Sequence, residues 1–262
     1  MKSINRPTVL ITGASSGIGK HTAYEQAIRG SNLILVARRT DKLEEVKAIC
    51  EQLGSNSVHI HSVDVSQAES IDQFINFLKQ EKIKIDVLIN NAGFGYSESF
   101  FALDFEIVSN IFQVNIVGLM YLTQQIALNM LDTGSGQIVN VASLAGKVST
   151  PKYTAYGATK GALISFSNAL RLELKEHNIH VTVVNFGPVD TPFFDSIERS
   201  RKQMAKNSPF TLTEDEAGRI VSNTVGTKKR EVNRPLILAA GAKFYQMFPS
   251  IGDYILSEFI KM

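Results

Sequence analysis

Thr12-Gly13-Ala14-Ser15-Ser16-Gly17-Ile18-Gly19 stands between an apolar run, residues 8–12, and a segment of helical period, residues 18–29. Glycines in a strand-to-helix turn let the backbone bend sharply and come close to a bound group, while the first N–H groups of the next helix lack partners within it. Such a turn suits the diphosphate of a dinucleotide, with Gly13, Ser15, Ser16, Gly17, Ile18 and Gly19 as candidate contacts. The same glycines could serve a turn that binds nothing. Their place directly after a buried strand and before a helix favours binding.

Outward from this turn, strand-length apolar runs alternate with helical segments, the rhythm of stacked βαβ units. Strands are expected at 8–12, 32–37, 57–65, 87–90, 137–142 and 181–186, and helices at 18–29, 42–53, 68–79, 105–131 and 156–177. Several strands are nearly continuous in Val, Ile and Leu, as in parallel sheets covered on both faces. Asp41 with Glu44 resembles a reciprocal N-terminal cap, and Gly30 and Gly54 sit where helices need a left-handed residue. The expected fold class is α/β: a single doubly wound Rossmann-type domain over residues 1–262, with a parallel sheet and helices on both faces.

The 262 residues are 44% hydrophobic and 20% charged, a globular composition. Lys and Arg number 27 against 25 Asp and Glu, a net charge of +2, too even for a general nucleic-acid binder. The lone Cys50 can make no internal disulfide and belongs to a helix face with Val46, Ile49 and Leu53, so a core position is expected. His59, His61 and His177 have no partners at metal-ligand spacing, and no metal is expected. The first residues carry no apolar run of signal-peptide length, so a cytoplasmic location is expected.

After Phe186 the pattern weakens. Residues 191–207 mix Phe193, Phe194 and Met204 with many charges and are read as a mobile helical flap. A short strand is expected to end near Asn233, with a helix from Pro235, a residue suited to the first helical position. The helical extension 235–262 is too short and interrupted to span a bilayer, which leaves subunit contact, peripheral membrane docking or packing on its own core.

The second strand ends Val36-Ala37-Arg38-Arg39, with no carboxylate to meet a free ribose 2′-hydroxyl and two guanidinium groups able to grip a 2′-phosphate. NADP(H) is therefore expected over NAD(H). Tyr156 and Lys160 stand four apart on a helical segment, so their side chains share one face. An ammonium beside a phenol favours phenolate and would lower the phenol pKa, fitting Tyr156 to exchange a proton with a carbonyl or alcohol oxygen. Ser143 follows the strand 137–142, at the carboxyl end of the sheet where such folds bind ligands.

The glycine turn with Thr12, Asn90-Asn91-Ala92-Gly93, Asn115 in Val114-Asn115, Ser143 and Tyr156-Gly157-Ala158-Thr159-Lys160 together resemble the classical short-chain dehydrogenase/reductase family, in order and spacing from about Thr8 to Thr191. The resemblance implies Tyr156 as general acid/base, Ser143 as donor to the substrate carbonyl, and Lys160 as a partner of both Tyr156 and the nicotinamide ribose. It implies Asn115 as support for a proton relay, through a local bulge in its helix. It further implies Arg38 at the 2′-phosphate with Arg39 beside it, Asp64 and Val65 at the adenine, and Asn91, Ala92 and Gly93 along the ribose. Pro188, Val189 and Thr191 of Gly187-Pro188-Val189-Asp190-Thr191 would meet the nicotinamide amide. Asp64 could instead be a helix N-cap, Asn91 a turn residue that stabilises the sheet, and Thr191 a loop hydroxyl.

The reaction so implied is hydride transfer between nicotinamide and a carbonyl or secondary alcohol. Phe94, Tyr96, Leu144, Val148, Tyr153, Phe193 and Phe194 are read as a pocket wall, which favours an apolar substrate. The alternatives are a non-catalytic dinucleotide-sensing regulator, a sugar-nucleotide epimerase or dehydratase, and a membrane-associated reductase of lipid-like carbonyls. The long helical tail departs from members that end on a strand and build a tetramer, so a homodimer or homotetramer is expected.

Overall fold

Val9, Leu10 and Ile11 have no exposed surface, and alternate residues belong to two separate apolar layers. That is why β1 (Thr8–Thr12) has no polar face. The computed structural model describes residues 6–191, 193 and 209–261. Around β1 lie β2 (Asn32–Ala37), β3 (Ser57–Ser62), β4 (Val87–Asn90), β5 (Gly136–Ser143), β6 (Ile179–Phe186) and β7 (Glu231–Arg234). All pair in parallel in the order β3-β2-β1-β4-β5-β6-β7.

One face of the sheet is covered by α1 (Gly17–Ile28), α2 (Thr40–Gln52) and α7 (Glu214–Ser222), whose Ala23, Ala27, Val46, Cys50 and Val221 pack on Val9, Ile11 and Leu35. The opposite face is covered by α3 (Ala68–Gln80) and α5 (Leu119–Thr133), through Ile71, Phe74, Leu122, Ile126 and Met130 against Leu10, Leu88 and Ile138. Helix α6 (Thr154–Glu173) adds Leu163 against Ala142 and Val183. Because the winding reverses at β1 and β4, the loops after these strands part and open a crevice at the carboxyl edge.

The structure corrects several expected boundaries. Strand β3 ends at Ser62, not Val65: the Asp64 carboxylate accepts from Ser66 N at 2.9 Å and Ser66 Oγ at 2.7 Å, a side-chain turn that draws the chain out of the ladder. Helix α2 starts at Thr40 with Arg39 at its N-cap and no side-chain cap, so Asp41 lies in the first turn and favours the helix dipole instead. The predicted helix 105–131 is α4 (Phe105–Phe112), a π-helical turn (Gln113–Gly118) and α5 in one run. Helix α6 ends at Glu173, and a 3-10 turn, Lys175–His177, completes the predicted span.

Helix α7 was not expected. Its sequence signal is the capping box, in which Thr213 accepts from Glu216 N and Glu216 accepts from Thr213 N. Pro235 is the N-cap of α8 (Leu236–Met247) and not its first helical residue, and α9 (Pro249–Lys261) follows. Gly30 and Gly54 adopt the left-handed conformation as expected. Of the predicted flap, residues 192 and 194–207 lie outside the described residues.

The π-helical turn presses Gly118 against the loop after β3, where an added Cβ would stand 1.7 Å from Val65 O. Gly118→Ala is therefore expected to cost about 1–3 kcal/mol of stability in urea unfolding. An unchanged midpoint would show that this approach does not exist in the folded protein.

Candidate active site

At the carboxyl edge a continuous cleft of about 1530 Å³ runs from the glycine turn, past the ends of β4 and β5, to the helical tail. The predicted Gly13, Ser15, Ser16, Gly17, Ile18, Arg38, Arg39, Asp64, Val65, Asn91, Ala92, Gly93, Ser143, Tyr156, Lys160, Pro188, Val189 and Thr191 all line it. Gly19 and Asn115 do not; they stand behind its wall.

Local packing explains the shape of the turn. Gly13 adopts φ +66°, and a Cβ there would meet Ala92 Cα at 2.9 Å, while a Cβ on Gly19 would lie 2.4 Å from Gly13 O. Both glycines let backbone close on backbone. Ser16 caps α1 without a side-chain hydrogen bond and no acid lies in that helix's first turn, so its N–H groups face the cleft uncapped. Arg39 Nη2 donates to Ser15 Oγ at 3.2 Å and Ser16 Oγ at 2.9 Å, which places the guanidinium beside the turn. Arg38 lines the same end of the cleft. Free amides with two guanidinium groups form a donor set matched to a diphosphate plus a further phosphate.

Thr211, Thr213 and Glu214, which the sequence analysis did not single out, also line the cleft. Glu214 ties α7 to α1 through Lys20 (3.8 Å) and His21 (3.4 Å). The capping box that starts α7 was the available signal, but nothing in the sequence says that this helix begins beside the turn.

The reactive groups stand where β5 ends and α6 begins. Ser143 Oγ donates to Phe186 O at 3.2 Å, accepts from Ala145 N at 3.1 Å and is hydrogen-bonded to the Tyr156 hydroxyl. Lys160 Nζ lies 5.7 Å from the Tyr156 ring centroid and donates to Val141 O at 3.1 Å. Phe193 packs edge-on against Tyr156, with ring centroids 5.8 Å apart. One turn of α6 thus brings phenol and ammonium together as expected.

The electrostatics depart from expectation. Tyr156 and Lys160 are only 7% and 5% exposed. Burial pushes the phenol up to about 12, although the Ser143 hydrogen bond pulls the other way, and burial pushes the lysine down to about 8. Within the protein itself desolvation outweighs the expected acidifying effect of the amine: each group is held toward its neutral form.

Asn115 sits in the π-helical turn, the bulge expected of its helix. Its side chain donates to Phe94 O at 2.9 Å and Thr159 Oγ1 at 3.2 Å and accepts from Phe94 N at 3.0 Å, linking the loop after β4 to α6. Asn91 donates to Thr12 O at 3.1 Å and Gly13 O at 3.3 Å, the structural use foreseen for it. Of the predicted wall, Phe94, Leu144, Val148, Tyr153 and Phe193 line the cleft and Tyr96 does not; Phe194 lies outside the described residues.

A parallel sheet with a glycine turn at its winding reversal, and a Ser-Tyr-Lys cluster across the crevice, defines a dinucleotide-dependent oxidoreductase class. Comparison with known proteins agrees. The short chain dehydrogenase family model matches residues 7–202. An 11-beta-hydroxysteroid dehydrogenase-like 3 of Arabidopsis thaliana is 41% identical over 193 residues, 72% of this chain and 61% of that protein. An NADP-dependent 3-hydroxy acid dehydrogenase of Schizosaccharomyces pombe is 36% identical over 221 residues, 82% of this chain and 85% of that protein. The closed form of a serine dehydrogenase complexed with NADP+ superposes with a TM-score of 0.80 at 27% identity, covering 88% of this chain and 95% of that one. The chain belongs to the short-chain dehydrogenase/reductase family.

Titration gives a test of the site. Unfolded Lys160 keeps its proton to pH 10.5, whereas folded it loses it near about 8, so between these values the unfolded state binds more protons and stability rises with pH. Lys160→Met removes this dependence. In urea unfolding the variant is expected to gain most over the unmodified protein at neutral pH, with the gap narrowing as pH rises through that window. Parallel curves would contradict a desolvated ammonium.

Proposed function

We propose that this protein transfers hydride between NADP(H) and a carbonyl compound or secondary alcohol of apolar character, with Tyr156 as the proton-exchanging group. The juxtaposition of Ser143, Tyr156 and Lys160 beside the cradle at Gly13–Gly19 carries this reading. When bound, the cofactor supplies a hydride from nicotinamide C4 to the carbonyl carbon. Ser143 holds the carbonyl oxygen by a hydrogen bond, and Tyr156 gives its hydroxyl proton to that oxygen as negative charge develops there. At neutral pH the phenol carries the proton that this step uses.

Lys160, with a pKa lowered to about 8, can return a proton toward Tyr156, and Asn115 braces the π-helical turn behind them. The backbone amides from Gly13 to Gly19 with Ser15 and Ser16 would hold the diphosphate, and Arg38 and Arg39 the 2′-phosphate. Asp64 and Val65 would meet the adenine, Asn91, Ala92 and Gly93 the ribose, and Pro188, Val189 and Thr191 the nicotinamide amide. NADP(H) named for the fission-yeast relative and the serine dehydrogenase supports the same cofactor here. The reading extends to one catalytic unit, homo-oligomeric and cytoplasmic, a reducing setting that suits the buried Cys50. The dinucleotide-sensing alternative needs no Ser-Tyr-Lys cluster and is set aside on that ground.

Two measurements test it. Tyr156→Phe removes the proton donor and is expected to lower kcat by about 100-fold or more while NADPH affinity holds. Undiminished turnover would refute the assignment. Arg38→Ala is expected to weaken NADPH binding in calorimetry by about 10- to 100-fold and to leave NADH binding unchanged. An equal effect on both cofactors would remove Arg38 from the 2′-phosphate.

A further inference from the structure

Glu214 lines the cleft, yet the hydride transfer proposed above has no task for it. It is the first residue of α7, directly after the N-cap Thr213. The helix is set hard against α1: a Cβ on Gly218 would lie 2.6 Å from His21 Cβ and 2.7 Å from His21 C. Helix α1 in turn begins at Gly17, inside the glycine turn. With no space between the two helices, and with the capping box at Thr213 holding the start of α7, the first turn of α7 is fixed beside that of α1.

The carboxylate thereby reaches the cradle proposed for the diphosphate. A Cβ built on Gly17 would lie 3.8 Å from Glu214 Oε1 and 3.6 Å from Thr191 Cγ2. Glu214 Oε2 faces Lys20 Nζ at 3.8 Å and His21 Nε2 at 3.4 Å, both on α1. Lys20, a third exposed, offsets the carboxylate charge only in part. Arg39 comes to the same turn from the end of β2, through Ser15 Oγ and Ser16 Oγ. A diphosphate on these amides would thus meet a guanidinium and a carboxylate together. The Glu214 side chain is only 22% exposed, and an anion so placed repels two phosphoryl charges with less screening than it would in open solvent.

On the strength of the proposed cofactor, we propose that Glu214 limits dinucleotide affinity: its carboxylate weakens the hold of the glycine turn on the diphosphate. The effect falls on NADPH and NADH alike, since both carry that group, whereas Arg38 acts on the 2′-phosphate of one of them.

Calorimetric titration of NADPH and NADH into the unmodified protein and its variants tests this. Glu214→Gln keeps the length of the side chain and removes its charge. It is expected to tighten both dinucleotides by one common factor, about tenfold at about 0.05 M NaCl and about twofold or less at about 0.5 M, where the charges are screened. Glu214→Ala is expected to tighten both as well. Glu25→Gln breaks the pair with Arg219 at 3.4 Å, which joins the same two helices away from the cleft, and is expected to leave both affinities unchanged. Unchanged or weaker binding in both Glu214 variants would overturn the proposal and leave the cofactor reading standing. So would a gain confined to NADPH, a gain that persists at high salt, or an equal gain in Glu25→Gln. Binding of neither dinucleotide to the unmodified protein would overturn both.

Discussion

The Thr12 hydroxyl accepts the backbone N–H groups of Asn91 and Ala92, both at 2.9 Å, and donates to Ile89 O at 3.4 Å. This seam closes the crevice floor where the winding reverses: it ties the end of β1 to the loop after β4. Asn91 adds the return stitch to Thr12 O and Gly13 O. With the two loops joined, the glycine turn on one side and the reactive cluster on the other hold a fixed separation. Without a hydroxyl at Thr12 two half-buried amides would lose their partner, at a cost below the about 1–3 kcal/mol of a fully buried group.

A second set of buried polar groups carries that order across the sheet. Asn90 donates to Thr123 Oγ1 at 2.8 Å and to Asn140 Oδ1 at 2.9 Å, and Asn140 in turn donates to Ser167 Oγ at 2.8 Å. The line runs from β4 through β5 to α6, the helix that carries Tyr156 and Lys160. Position is therefore set by hydrogen bonds inside the core, and proton affinity by burial at its edge. Desolvation shifts phenol and amine toward their neutral forms together, holding the Tyr156 proton and loosening that of Lys160.

The molecule divides its labour along the cleft. The end at the glycine turn is polar and cationic, built from backbone amides, Ser15, Ser16 and two arginines, whereas the end at the helical tail is apolar. At the first end Glu214 is a strut from α7 to α1. Leu236, Met247, Ile251 and Tyr254 of the tail, which do not line the cleft, are exposed as well.

The local features were legible because each rests on nearby residues. Continuous Val, Ile and Leu marked the buried strands; the glycines marked the turn; the four-residue spacing of Tyr156 and Lys160 marked one helix face; and Arg38 with Arg39 marked the cationic end. Period alone did not show where β3 would stop, since the turn at Asp64 depends on side-chain hydrogen bonds, nor that Thr213 would start a helix. The sequence by itself determined the sheet, its crevice and the chemistry gathered there. Only the tertiary structure decided the direction of the Tyr156 pKa, the placing of Arg39 on Ser15 and Ser16, and the use of the tail as a cleft wall. Desolvation and long-range packing depend on which distant residues exclude water from a group, and no local pattern records that.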